Sequence, residues 1–177
     1  MPSDFGDLPV DEFIEEIRFV QPSENWESIL KHLNRDDSVL VGHRDKLEGI
    51  LTAMDVLSYL HGISNPFVIL AEIELSLRRI VRACVDQDQL RECIQNSLAS
   101  KYEEDSIPME LSEMTFNDYV QIIEHGRNWP HFAQVFGEGS WLRRNTAERL
   151  KQIRDLRNIV FHFRRPLTEA DHGILAD

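Results

Sequence analysis

Between residues 150 and 163 the apolar positions Leu150, Ile153, Leu156, Val160 and Phe163 recur at spacings of three, three, four and three. At about 100° per residue they share one stripe of an α-helix, so the segment predicts a helix from about Thr146 to Phe163. That helix buries its stripe and ends before Pro166. Arg157, Asn158 and His162 interrupt the apolar pattern. His162 falls roughly 120 to 180° from most of the stripe, near Asn158 one turn earlier, whereas Arg157 sits at the stripe's edge about 140° from His162. A histidine and an arginine flanking an asparagine on such a helix call for a second surface.

The N-terminal third has a different pattern. Ser38 to Val41 and Leu47 to Leu51 predict two short strands joined by a polar turn, and a helix follows. With the strand-like Arg18-Phe19-Val20 and a helix over Glu24 to Leu33, the order is β-α-β-β-α. His61-Gly62-Ile63-Ser64-Asn65-Pro66 then combines a glycine stop, an asparagine cap and a proline at the first position of the next helix. That next helix, Pro66 to Val85, carries Phe67, Leu70, Ile73, Leu77, Ile80, Val81 and Cys84 at helical spacing, with Glu74 and Arg78 as a favourable i,i+4 pair. Asp86 to Ser100 predicts a second helix, Lys101 to Ser112 an acidic connection, and Thr115 to His125 a third helix capped by Thr115 and Asp118. Gly126 to Ser140 reads as a connection holding a helical turn, and Thr168 to Asp177 as a short final helix. Trp129 and Trp141 read as packing residues under that connection.

Two resemblances rest on these residues. The Arg157-Asn158, three-residue, His162 pattern resembles the signature of the HEPN family of small helical domains. The stretch from Met114 to Trp129 looks like the third helix and Trp-containing connection of one branch of that family. The match covers roughly residues 66 to 165, and Ile159 stands where similar proteins often carry an acid. The β-α-β-β-α order, with Gly49-Ile50-Leu51-Thr52 and Asp55, resembles one CBS motif over roughly residues 12 to 62. The expected fold class is therefore α+β: a CBS half-module with an N-terminal extension over residues 1–62, then an all-α HEPN-like bundle over residues 63–177.

The HEPN resemblance implies a metal-independent endoribonuclease site made by Arg157 and His162 with the same residues of a second copy. A histidine can move the proton of a ribose 2′-hydroxyl, and a guanidinium can meet the charge gathering on the phosphorane. Asn158 could orient the imidazole or donate to phosphate. The CBS resemblance implies that Thr52 touches the phosphate and Asp55 the ribose of an adenine nucleotide, AMP or ATP. Thr52 would begin a helix whose free N–H groups attract an anion, and the same two residues equally form a plain helix cap. CBS motifs come in pairs, and a single one exposes an apolar sheet face, so both halves point to a symmetric homodimer.

Arg143 to Arg165 holds eight basic and two acidic residues in a chain of net charge −12. RNA would thus be met locally, by Arg149, Arg154, Arg164 and Arg165, with no general field to draw it and no DNA expected. No metal is expected, since Cys84 and Cys93 lie apart from any histidine at ligand spacing and read as buried thiols of a reducing cytoplasm. The longest apolar stretch, from Pro66, is broken by Glu72, Glu74, Arg78, Arg79 and Arg82, which predicts no membrane span. The start, Met1 to Asp7, lacks the pattern of a secretion signal. The expectation is a nucleotide-sensing, cytoplasmic CBS–HEPN homodimer with ribonuclease chemistry. The alternative is a non-catalytic dimerisation and regulatory module that binds a protein partner, with Arg157 paired to an acid and His162 a surface or interface residue.

Overall fold

Asn25 opens the first helix by accepting a hydrogen bond from the Ser28 backbone N–H at 2.9 Å, so α1 runs Trp26–Asp36 and not from Glu24. The Glu24 carboxylate instead takes the Ser28 hydroxyl, at 2.5 Å. The computed structural model describes residues 17–176, so the expectations for Met1 to Asp7 and for the first residues of the CBS-like stretch fall outside the described residues. The chain divides into two compact units, Met1–Ile63 and Ser64–Asp177. It is an α+β protein, a small sheet followed by helices.

In the first unit β1 (Phe19–Val20) pairs parallel with β2 (Ser38–His43), which pairs antiparallel with β3 (Lys46–Thr52) in the order β1-β2-β3. Both hairpin strands are longer than the apolar alternation marks, because the turn between them is only Arg44 and Asp45. A bulge between Val41 and Gly42 shifts the register. Gly42 has φ +125°, and a Cβ there would run into the Lys46 carbonyl oxygen, so only glycine suits this corner. Val20, Ile29, Leu33, Val39 and Val56 form the core, with Val41 and Leu51 packed on it. Helices thus cover one sheet face. On the other face, register aligns Phe19 with Leu40 and Leu40 with Ile50, an apolar row across all three strands, and Ile50 is 62% exposed.

Helix α2 spans Ala53–Cys84, where two helices parted at Gly62 to Pro66 were expected. Proline costs an interior helix its one bond to the carbonyl four residues back, here that of Gly62, and α2 continues through it although residues 57 to 64 are all exposed. Joining the two stretches also gives α2 the length and composition to cross a membrane, which the reading from Pro66 onward did not credit it with. The second unit continues with α3 (Gln87–Leu98), a 3-10 turn (Glu104–Ser106), α4 (Phe116–Glu124), α5 (Trp129–Phe136), α6 (Ser140–Phe161) and α7 (Glu169–Ala176). Its core holds Leu70, Leu77, Ile94, Tyr119, Phe132 and Leu156 among others. The expected Glu74–Arg78 pair is present at 2.6 Å, and Cys93 is buried, which pushes its thiol up to about 11. Cys84 is partly exposed.

Three expectations are corrected here. The connection after Gly126 contains an eight-residue helix, α5. Trp129, its first residue, is buried as expected, but Trp141 is 64% exposed and packs nothing into the core. Helix α6 starts at Ser140, six residues before Thr146, with Gly139 at φ +98° as its N-cap.

Helix α7 is held by Asp171, which accepts from both Arg165 nitrogens at 2.5 and 3.2 Å and from the Thr168 N–H and hydroxyl at 2.8 Å each. The Arg165 guanidinium, with the Thr168 N–H, holds this carboxyl well below the usual carboxylate range. Its contribution is therefore complete above an ordinary aspartate pKa of about 3.9 and is lost as pH falls below that value toward the folded one. Asp171→Asn is expected to lower the urea midpoint at pH 7, and the gap to the wild type is expected to close between about pH 4 and pH 2.

Candidate functional site

The last turns of α6 carry the polar triad. The apolar stripe is buried as far as Val160, with Leu150, Ile153 and Leu156 below 9% exposed. Phe163 departs from it: it lies beyond the helix, 82% exposed, at φ +50°. The helix ends in a Schellman turn, in which the Phe163 N–H donates to the Val160 carbonyl at 3.3 Å and the Arg164 N–H to the Ile159 carbonyl at 3.1 Å. Glycine usually fills this left-handed position, and a phenylalanine there stores backbone strain directly beside His162.

His162 is the C-cap residue and is exposed. Its backbone N–H donates to the Asn158 carbonyl at 3.3 Å, but among the described residues no side-chain hydrogen bond joins Asn158 to its ring. Arg157 is half-buried, with its guanidinium carbon 4.8 Å from the centre of the Phe161 ring. Its Nε is buried without a hydrogen-bond partner, and among the described residues no carboxylate pairs with it. Ile159 packs against the helical core. One chain therefore presents Arg157 and His162 from different sides of one helix end, without contact between them.

The four arginines expected to meet RNA fare differently. Arg149 donates to the Ile174 carbonyl at 2.7 Å, Arg154 to the Asn117 side chain at 3.0 Å, and Arg165 is locked to Asp171. Arg164 is exposed. In the first unit the Asp55 carboxylate accepts from the Thr52 N–H at 2.8 Å and the Thr52 hydroxyl at 2.6 Å. The Thr52 hydroxyl and N–H hold Asp55 below its ordinary value, and the pair spends its groups on capping α2.

A polar cleft of about 630 Å³, which the sequence does not announce, lies between α4 and α6, lined by Gln121, Glu124, His125, Arg143, Arg144 and Lys151 among others. The only signal available was a histidine and a glycine at a helix end, a pattern common in plain caps. Among the described residues no group of three or more His, Cys, Asp and Glu is placed to hold a metal ion. No family model, no curated protein and no solved structure matches this chain.

Proposed function

We propose that this chain is a CBS–HEPN protein that works as a homodimer and cleaves RNA without a metal, through Arg157 and His162 of two copies brought together. The observation that carries the reading is Arg157, a half-buried cation whose buried Nε has no partner, and which no carboxylate neutralises, among the described residues. A buried donor without a partner is costly, and a phosphate supplies acceptors of the right charge. His162, exposed one turn further on, takes the proton of the ribose 2′-hydroxyl and returns it to the leaving 5′-oxygen. The attacked phosphate becomes a cyclic phosphate, and Arg157 meets the charge that gathers on it. The apolar row Phe19, Leu40 and Ile50, of which Ile50 is exposed, supports the dimer, since a sheet face of this kind asks for a second copy.

The test is incubation of a mixed tRNA and single-stranded RNA pool in EDTA with wild type, His162→Ala and Arg157→Ala. The wild type is expected to leave cyclic phosphate ends, and each variant to lose roughly 100-fold or more in rate. Thermal melting of the variants separates this from unfolding. Absence of cleavage by the wild type overturns the reading. A second reading, a non-catalytic dimerisation and regulatory module, is favoured by the engagement of Arg149, Arg154 and Arg165 within the fold and by the closed Thr52–Asp55 pair. It predicts a dimer by sedimentation with no cleavage.

A further inference from the structure

Two residues that line the cleft between α4 and α6 each carry a buried polar atom with no partner among the described residues. Gln121 Oε1 and His125 Nδ1 are both buried, and among the described residues neither has a hydrogen-bond partner. Both residues line the cleft, and its other wall carries Arg143, Arg144 and Lys151 of α6. Arg143 is half-buried, and its Nη1 occupies the space that a Cβ on residue 126 would take, so Gly126 is what lets this guanidinium lie over the cleft. Among the described residues no carboxylate pairs with it. Two acids line the cleft as well, but Glu124 is neutralised by Lys151 at 2.6 Å, which leaves Glu148 against Arg143 and Arg144.

The cleft shares a helix face with His162. At about 100° per residue, Arg144, Glu148, Lys151, Asp155, Asn158 and His162 fall within about 40° of one line along α6. On that face Asp155 is paired with Arg154 at 2.8 Å. At about 1.5 Å per residue, Arg144 and His162 are roughly 27 Å apart along the axis, the reach of several nucleotides of extended strand. A strand laid along this face with a phosphate at His162 would bring another of its nucleotides to the cleft.

We propose that the cleft is a nucleotide subsite of the RNA strand: it takes one unpaired base against Gln121 and His125, with the adjoining phosphate on Arg143 and Arg144. The inference rests on the RNA-cleaving reading and names its substrate class, single-stranded RNA with an unpaired base several nucleotides from the scissile phosphate. A base edge offers a donor for Gln121 Oε1 and a partner for His125 Nδ1, as single-stranded RNA recognition requires and a paired base cannot. Arginine supplies the two parallel donors that fit a phosphate.

The experiment is fluorescence anisotropy of the full chain with a labelled eight-nucleotide RNA carrying 2′-O-methyl groups throughout, which cannot be cleaved by 2′-hydroxyl attack. It is run with wild type, Arg143→Ala and Gly126→Ala, the last of which displaces the Arg143 guanidinium without removing it. Both variants are expected to bind roughly ten-fold more weakly at fixed salt while melting like the wild type, and the wild type is expected to prefer the single strand to its duplex. Equal affinity of wild type and both variants, equal affinity for strand and duplex, or no binding by the wild type overturns the subsite. Binding that depends on Arg143 in a protein that cleaves nothing would keep the subsite and sink the nuclease. Cleavage with an unchanged Arg143→Ala affinity would do the reverse.

Discussion

Asp118→Ala is expected to destabilise the helical unit by about 3 to 5 kcal/mol. Asp118 is fully buried, and its carboxylate accepts from Lys101 Nζ at 2.5 Å, Tyr102 OH at 2.9 Å, and the Thr115 N–H and hydroxyl at 2.8 and 2.7 Å. Burial pushes this carboxyl up, and the hydrogen bonds from Lys101, Thr115 and Tyr102 outweigh it and hold the group below its ordinary value. Truncation therefore removes the cap of α4 and leaves a cation and a phenol without their acceptor. The Lys101 side chain is 33% exposed and can turn to water, which favours the lower part of the range. Urea unfolding at pH 7 measures the loss, and thermal melting should show a fall of roughly 10 to 20 °C. Asp118→Asn keeps an acceptor for the Thr115 N–H and should lose less. A loss under 1 kcal/mol for alanine would show that the four bonds contribute little net stability.

Asn128→Ala is expected to cost about 2 to 4 kcal/mol. Asn128 is fully buried where α5 begins, and its amide nitrogen donates to the Cys93 and Ile122 carbonyls, each at 3.0 Å. Its carbonyl oxygen takes a hydrogen bond from the Asn96 side chain, also at 3.0 Å. One side chain thus fastens α3, α4 and α5 together. Asn128→Asp is the more telling variant: a carboxylate has no donor for two carbonyls and would face them with like charge, so it should lose at least as much as alanine. A mild Asn128→Asp variant in urea unfolding would refute this account of the junction.

The parts of the fold that depend on local chemistry can be read in the sequence. Thr115 with Asp118 and Thr52 with Asp55 are caps three residues apart, and both caps form. The stripe from Leu150 to Val160 is a matter of spacing, and it is buried. What resists reading depends on distant partners. Gly62 and Pro66 mark a stop by every local rule, yet α2 passes through them. Phe163 continues the spacing, but the left-handed turn after His162 takes it off the helix, a choice its own propensity opposes. Of the candidate site, the residue types at the end of α6 were legible and their partners were not. Whether Arg149, Arg154 and Arg165 stay available or tie down a neighbour depends on Ile174, Asn117 and Asp171, at separations of 6 to 37 residues. The cleft behind Gln121 and His125 was invisible because its wall comes from another helix.

The staple at Asp118 also bears on what the chain tolerates between α3 and α4. Lys101 and Tyr102 enter that connection and Thr115 leaves it, all three on one carboxylate, while the Tyr119 hydroxyl holds the Leu111 carbonyl from inside. The loop is thus tied at its base, and its exposed acidic tip, Glu103 to Ser106, is free of the core. Closing a longer loop of this sort adds only about 0.6 kcal/mol for each doubling of its length. The tip is accordingly the place to carry a reporter dye, an affinity tag or a protease recognition sequence, with the helical core left as it is.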